Sequence, residues 1–355
     1  MSKFIEEENY HIEINIDDVT NLFQLYTNPH KFFVDNDTID PRGYKTRYEE
    51  IFNNIFPIEM EVEPQHKKMY DDKYYKCDVW NPFIFRGQAN TEWELETSLY
   101  REYVKLGPKQ KKEDLVKQEK VLLREFQRQY NRFGIKNNII ENDYYEWFAV
   151  MQHYGAPTRF LDFSFSFYVA LYFASNNISF EKNKTASFTV YAVNRVWLEK
   201  RYKDFLPDNI LELYNDQKEG DSFGKSLAIQ NEIINNKKAP IKAVINMNPF
   251  NLNSRIVHQK GVFLFPTDLN CSFNDNLHAM LVDDGGKPIN TKVIKINIEL
   301  SPNDIIYLYK QLDYMNIGAQ TLFENKLESM GEVLKRKLIA SRYSDVLSLN
   351  AQGKI

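Results

Sequence analysis

An arginine followed by glycine and glutamine comes directly after three apolar residues in the segment FIFRGQ, residues 83–88. The apolar run Phe83-Ile84-Phe85 predicts a short buried strand that ends at Arg86. A guanidinium is a planar group with five N–H donors, which suits a phosphate or a ribose. Gly87 would let a ligand approach the backbone closely, because glycine has no Cβ. The alternative is an arginine that pairs with a carboxylate of the core.

A second group of polar side chains is concentrated in the segment MQHYGAPTRFLDFSF, residues 151–165. These side chains lie between two apolar stretches, so they either satisfy a buried turn or form a pocket wall with donors for an anion or a sugar. Local chemistry favours neither alternative. The residues are Gln152, His153, Tyr154, Thr158 and Arg159.

Helix signals surround this second segment. A helix predicted over 143–153 ends at Gly155, and Pro157 follows. A buried helix is predicted over 165–176, where almost every residue is apolar. Its free N–H groups need a cap, and three residues are candidates: Asp162, Ser164 and Ser166.

Other catalytic motifs are weak. Residues 220–224, GDSFG, match the nucleophile elbow of hydrolases, but a polar segment precedes them where a buried strand is required. Cys271 and His278 could form a thiol–histidine pair, although nothing further in the sequence supports one. The six histidines show no metal-ligand spacing, so we expect no metal.

Composition narrows the class of protein. The chain has 355 residues and a net charge of −4, so its overall field does not favour nucleic acid or an anionic membrane. Two cysteines, Cys77 and Cys271, exclude a disulfide framework. No apolar run reaches 18 residues and the first residues lack an apolar signal segment, so we expect a cytoplasmic protein without a membrane partner.

Strands and helices group in runs along the chain, which predicts an α+β fold rather than a doubly wound sheet. After a strand at 11–16, an aspartate at position 17 or 18 caps a helix with an apolar face. The segment 61–76 has no periodicity and reads as a connection. Strands are predicted at 187–193, 241–247, 255–265 and 292–298, and helices at 43–56, 111–133, 303–313 and 320–348. The buried stripe of the helix at 111–133 is predicted to be Leu115, Leu122, Phe126, Tyr130 and Phe133.

Three motifs occur in a fixed order and together resemble the FRG domain family, named after its Phe-Arg-Gly motif. The first is Phe85-Arg86-Gly87-Gln88, followed by Trp93 and Leu95. The second runs from Gln152 to Arg159 and continues with Leu161-Asp162 and the stretch 170–174. The third runs from Arg255 through Gln259 to Phe263. The resemblance covers about 83–325, and it divides the chain into an N-terminal helical extension at 1–75, an FRG domain at 76–330 and a C-terminal helix at 331–355.

The resemblance implies an ADP-ribosyltransferase-like split β-sheet core with several flanking helices, and NAD as the co-substrate. Arg86 would then grip NAD, with Gly87 and Gln88 beside it. The nicotinamide ribose would be supported by one of three candidates: Thr158, Ser164, or the pair His153 and Tyr154. Arg159 would lie next to them. Tyr154 could stack on nicotinamide. Gln259, expected on a strand, takes the third position, where an acid would be usual; Asp162 could supply the missing charge for an oxocarbenium-like transition state.

The resemblance therefore implies an NAD-consuming ADP-ribosyltransferase that modifies a macromolecule, either protein or nucleic acid. A bacterial toxin or anti-phage defence effector, with an antitoxin as a partner, would fit this chemistry. The basic helix with Arg124 and Arg128 could contact a nucleic-acid acceptor, but a solvated charged face explains it as well. The alternative is a non-enzymatic nucleotide-binding or partner-sensing module of a defence system, which the amide of Gln259 favours.

Overall fold

The computed structural model describes 5–7, 10–27, 80–105, 107, 114–130, 132, 139, 143–176, 178, 185–208, 210–212, 241–247, 254–323, 330–339 and 341. The helix predicted at 43–56, the connection at 61–76 and the GDSFG motif lie outside these residues.

Eight strands are β1 (Ile5–Glu7), β2 (Ile12–Ile16), β3 (Phe83–Gln88), β4 (Leu161–Ser164), β5 (Ala186–Asn194), β6 (Val244–Met247), β7 (Gly261–Pro266) and β8 (Val293–Leu300). The helices are α1 (Val19–Thr27), α2 (Ser98–Val104), α3 (Asp114–Tyr130), α4 (Tyr144–His153), α5 (Phe167–Asn176), α6 (Arg195–Arg201), α7 (Ser254–His258), α8 (Phe273–Met280), α9 (Pro302–Tyr314) and α10 (Ala319–Leu322). Residues 330–339 are also helical.

The strands form one mixed sheet in the order β1-β2-β8-β5-β3-β4-β7-β6. β2 and β8 are parallel, and the other pairs are antiparallel. The predicted α+β class is therefore confirmed. β1 and β2 belong to this sheet and α1 packs on it, so the sheet continues across the predicted boundary at residue 75.

Helices cover both faces of the sheet, and strand alternation assigns each side chain to one of them. α1, α5 and α9 pack on the first face together with Phe83 and Phe85. α3, α4 and α8 pack on the second face together with Ile84. By the same alternation Gly87 faces the first side, while Arg86 and Gln88 share the second.

The sheet has a weak seam between β3 and β4. β3 pairs with β5 along its whole length, from Phe83 to Gln88. By contrast, a single residue pair, Phe85 with Ser164, joins β3 to β4. Strands β1, β2, β8, β5 and β3 thus form one half of the sheet and β4, β7 and β6 the other, and the two halves separate beyond this pair.

Several predicted elements differ from the observed ones. Residues 255–265, predicted as one strand, form all of α7 except its first residue, then a turn and most of β7. Lys260 makes this turn with a φ of +46°, a left-handed conformation that a strand cannot accommodate. β3 continues through Arg86 to Gln88, so Arg86 lies within the strand and not at its end.

Two helix predictions also need correction. In α3 the buried stripe contains Leu123 in place of the predicted Leu122, which is 37% exposed. Leu115 and Tyr130 are buried as predicted, Phe126 is partly buried, and Phe133 lies outside the described residues. Within the range 320–348, predicted as one helix, α10 ends at Leu322 and a separate helix is described over 330–339.

Candidate functional site

A cleft of about 750 Å³ opens at the seam between the two halves of the sheet. Five of the polar residues predicted for the site line it: Arg86 and Gln88 from β3, Asp162 and Ser164 from β4, and Gln259 from the turn before β7. These residues are separated by up to about half of the chain, and the sheet order brings them together. We call this space the seam cleft.

Arg86 bridges the seam where backbone pairing stops. Its Nη1 donates a hydrogen bond to the backbone carbonyl of Asp162 at 2.6 Å. Its Nε has no partner among the described residues. The pKa of Arg86 is lowered to about 10, mainly by burial. The positive charge of Arg101 also lowers this pKa, and the negative charge of Asp162 raises it in part. Two guanidiniums that repel each other in one cleft would both gain from a bound anion.

Gly87 is required by the packing of α5. A Cβ at this position would lie 1.9 Å from the carbonyl oxygen of Ala170 and 2.6 Å from the amide nitrogen of Ala174. Both are backbone atoms, so side-chain movement cannot relieve the clash. The glycine of the Phe-Arg-Gly motif thus permits the close packing of α5 on β3, and its role in ligand approach stays a prediction.

A chain of hydrogen bonds orients the Asp162 carboxylate. The Thr158 hydroxyl donates to Oε1 of Gln152, and Nε2 of Gln152 donates to Oδ2 of Asp162 at 2.8 Å. The first bond fixes which end of the Gln152 amide faces Asp162, because the hydroxyl proton needs an acceptor. Asp162 does not cap α5; that role falls to Ser166, whose Oγ accepts the amide of Val169 at 3.4 Å.

Ser164 and Gln259 join β4 to the turn before β7. The Ser164 hydroxyl donates to the backbone carbonyl of Gln259 at 2.7 Å and accepts the amide of Ser166 at 3.0 Å. The Gln259 side chain donates through Nε2 to the carbonyl of Leu322 at 3.3 Å. Gln259 follows α7 directly and lies in the turn before β7, so the prediction that it lies on a strand is wrong. Ser164 therefore positions this wall of the cleft, and the Oε1 of Gln259 keeps its acceptor capacity.

Sequence reasoning missed three glutamates that line the seam cleft: Glu92, Glu94 and Glu96. Burial raises the pKa of Glu96. The backbone N–H groups of Thr97 and Phe273 donate to its carboxylate and oppose this rise. No local pattern identifies them, because Glu92 lies in the turn that the hydrogen bond from Trp93 to Asn90 closes, and not on an extended segment. Together with Asp162 they give the cleft four carboxylates.

Four predicted site residues do not line the cleft. Arg159 is 2% exposed and forms a buried two-pronged ion pair with Glu119 of α3, so its guanidinium serves the core. Thr158 is buried and acts through Gln152. Tyr154 is exposed and packs near Phe126 on an apolar groove outside the cleft, and His153 lies edge-on to Tyr154. The structure thus does not bring these four residues together with Arg86, and direct binding of a cofactor by any of them stays a prediction.

The remaining chemical candidates find no support in the described parts of the chain. Cys271 donates to Asp268, and burial raises the pKa of its thiol to about 12, so it is not a ready nucleophile. His278 stacks on Tyr10 instead. Within the described ranges, no cluster of His, Cys, Asp and Glu is arranged to hold a metal. None of the helices described above is both long and apolar enough to cross a membrane.

Comparison with known proteins gives one match. No curated protein and no solved structure matches the chain. Residues 81–183 match the family model described as the FRG domain. This range contains β3, Asp162 and α5, and it ends before the third motif at Gln259. The resemblance of this chain to the FRG domain family is thus confirmed over residues 81–183.

Proposed function

We propose that the seam cleft binds NAD and cleaves its nicotinamide–ribose bond, transferring ADP-ribose to a macromolecule. The observation that carries the proposal is the meeting of Arg86, Asp162 and Gln259 in one cleft at the seam of a mixed sheet. The family resemblance assigned dinucleotide chemistry to these three positions. The proposed fold relationship is an ADP-ribosyltransferase-like core split between β3 and β4.

The cationic side of the cleft suits the pyrophosphate of a dinucleotide. Arg86, Arg101 and Arg255 all line it. Arg86 keeps an unpaired Nε, and Arg255 lies over the ring of Phe323 at 5.7 Å. A guanidinium fork binds phosphate oxygens through two parallel hydrogen bonds, and partial burial strengthens them. Arg86 would hold the donor, with Arg255 as a second contact.

The acidic side suits the charge that develops when the glycosidic bond breaks. Breaking the C1′–N bond sends its electron pair to nicotinamide, which leaves neutral, and the ribose carbon becomes oxocarbenium-like. A nucleophile of the acceptor then bonds to C1′ and releases its proton. Asp162, oriented by Gln152, can stabilise this positive charge, which the neutral amide of Gln259 cannot. Oε1 of Gln259 can still accept a ribose hydroxyl.

The test is turnover of NAD labelled in its adenylate half, incubated with the protein alone and with cell lysate. We expect nicotinamide release and label on a macromolecule. In Asp162→Asn, turnover should fall by roughly 100-fold or more, since one electrostatic contact to the transition state is lost. Arg86→Ala should lose both binding of ADP-ribose and turnover. Lys242→Ala, a change outside the cleft lining, is the control for general effects of lost positive charge.

A protein that binds ADP-ribose but releases no nicotinamide would instead be a nucleotide-binding module. One contact favours this second candidate: Nε2 of Gln259 is already bonded to the carbonyl of Leu322, as expected of a wall residue. Arg86→Ala would then abolish binding, and Asp162→Asn would leave it unchanged. Failure to bind ADP-ribose or NAD at all would rule out both candidates.

A further inference from the structure

Trp93 exposes its indole at the wall of the seam cleft. The side chain is 57% exposed, whereas Trp80 and Trp147 are 5% and 6% exposed. Exposing so large an apolar group forgoes the stabilisation that burial would give. Trp93 also makes no ring contact with any described aromatic residue, although rings elsewhere in the protein pair extensively. The indole is therefore available to a ligand.

The backbone beneath the indole is held on both sides. The Tyr191 hydroxyl donates to the carbonyl of Trp93, and Nε2 of Gln88 donates to the carbonyl of Glu94, both at 3.1 Å. The amide of Trp93 donates to Asn90 at 3.3 Å, and Leu95 is buried in the core. Since neighbouring strands supply two of these anchors, the backbone that carries the indole is held in place without a ligand, which lowers the entropy cost of ordering this segment on binding.

The groups around the indole are acceptors with oxygens left over for further donors. Glu92 is exposed, and its carboxylate has no partner among the described residues. Glu94 uses one oxygen to accept Nδ2 of Asn274 at 3.0 Å. Gln88 is 6% exposed, and its Oε1 has no donor within the described part of the chain. An electron-rich ring face beside unpaired carboxylate and amide oxygens calls for a ligand that is flat, positively charged and rich in N–H groups.

We infer that Trp93, Glu92 and Glu94 form a subsite for a planar cation that carries N–H donors. The indole face attracts the cation, the two carboxylates balance its charge, and Oε1 of Gln88 can accept an N–H. Two groups have this chemistry: the guanidinium of an arginine side chain and the carbamoylpyridinium ring of NAD. The inference rests on the proposed function in one respect, namely that a transferase would meet these cations as acceptor and as leaving group.

In this subsite Trp93 would stack on the ligand ring, a role predicted from the sequence for Tyr154. Tyr154 lies outside the cleft. The subsite also disfavours nucleic acid as the acceptor. Phosphates approaching the mouth would meet Glu92 and Glu94 at the indole, and like charges there would weaken binding. An arginine of a protein acceptor would meet the opposite sign of charge and a flat surface of matching shape.

Tryptophan fluorescence tests the inference without any turnover. In a Trp197→Phe background, Trp93 is the one exposed indole among the three remaining tryptophans, because Trp80 and Trp147 are buried. The probes are Nα-acetylarginine amide and 1-methylnicotinamide, each paired with a neutral counterpart of the same shape, Nα-acetylcitrulline amide and nicotinamide. We expect saturable quenching by at least one cation, and about tenfold weaker binding of its neutral counterpart.

Two variants complete the test. The double change Glu92→Gln and Glu94→Gln should weaken cation binding by about tenfold with unchanged circular dichroism, and Trp93→Phe should remove the fluorescence response. Quenching by the arginine probe alone assigns the subsite to the acceptor, and quenching by the pyridinium probe alone assigns it to the leaving group. Equal response to neutral probes, or full affinity in the double variant, would overturn the inference. If Arg86→Ala loses NAD turnover but keeps the quenching, the subsite binds its cation independently of the proposed function.

Discussion

At the scale of single residues, Arg159 shows how a motif residue can serve stability rather than ligand binding. Its Nε and Nη2 both donate to the carboxylate of Glu119, and each side chain is 2% exposed. Arg159 also lies near the ring of Phe148. Two charges buried together tolerate the low dielectric only as a pair, because either one alone would lose its hydration without compensation.

Removing one partner of this pair should therefore destabilise the protein strongly. We expect Glu119→Ala and Arg159→Ala each to lower the free energy of unfolding by about 3–5 kcal/mol, measured by urea denaturation. The double variant Glu119→Leu and Arg159→Met restores apolar packing and should recover much of this loss. If each single variant cost less than about 1 kcal/mol, the side chains would not be buried as an ion pair, and Arg159 would again be free to bind a ligand.

At the scale of elements, the contact between β3 and α5 depends on Gly87. The helix lies so close to the strand that its backbone occupies the space of a side chain at this position. Gly331 offers a matched comparison, because it lies in the helix at 330–339 and a Cβ there would meet nothing within 4 Å. The two glycines separate the effect of crowding from the general effect of adding a methyl group.

We expect Gly87→Ala to lower the free energy of unfolding by about 3 kcal/mol or more, since neither backbone atom can move without shifting α5. Gly331→Ala should be neutral or stabilise by up to about 1 kcal/mol, because alanine restricts the unfolded chain and favours the helix. Thermal and urea denaturation measure both changes. Equal effects at the two positions would show that α5 does not pack on Gly87 as closely as described.

Periodicity and caps predicted much of the element list, but tertiary contacts decided the rest. The strand at 11–16, the helix at 143–153 and the strand at 187–193 appear close to their predicted bounds, because local patterns determine them. Two hydrogen bonds from neighbouring strands hold the carbonyls of Trp93 and Glu94, so no local pattern places that segment at the cleft. The turn at Lys260 was missed because its neighbours Ile256, Val257 and Val262 resemble a strand.

The same distinction applies to the site. The resemblance to the FRG domain family implied that Arg86, Asp162 and Gln259 meet, and they line one cleft. Thr158 and Arg159 fall within the same motif, yet the turn directs them into the core. Sequence alone cannot separate the two groups, because neighbouring residues of a turn point in different directions. The roles of the cleft residues in catalysis stay predictions.

At the scale of the whole molecule, the sheet consists of two halves that share little backbone pairing. A single residue pair and the side chain of Arg86 connect β3 to β4, and helices on both faces complete the core. A ligand in the seam cleft would contact Arg86 on one half and Asp162 or Gln259 on the other. Binding should therefore reduce the opening of the seam, because the ligand contributes contacts that cross it.

Hydrogen exchange can detect this bridging. With ADP-ribose at about 100 times its dissociation constant, the bound state gains about 2.7 kcal/mol, which corresponds to roughly 100-fold slower exchange wherever opening requires release of the ligand. We expect slower exchange in β4 and at 259–261 as well as in β3, and no slowing in β1, at the far edge of the sheet. Arg86→Ala should abolish the slower exchange on both halves, because the ligand loses its contact with the Arg86 guanidinium. Slowing confined to β3 and β5 would mean that the ligand contacts one half only, and Asp162 would then lie too far from the bound ligand to act on it.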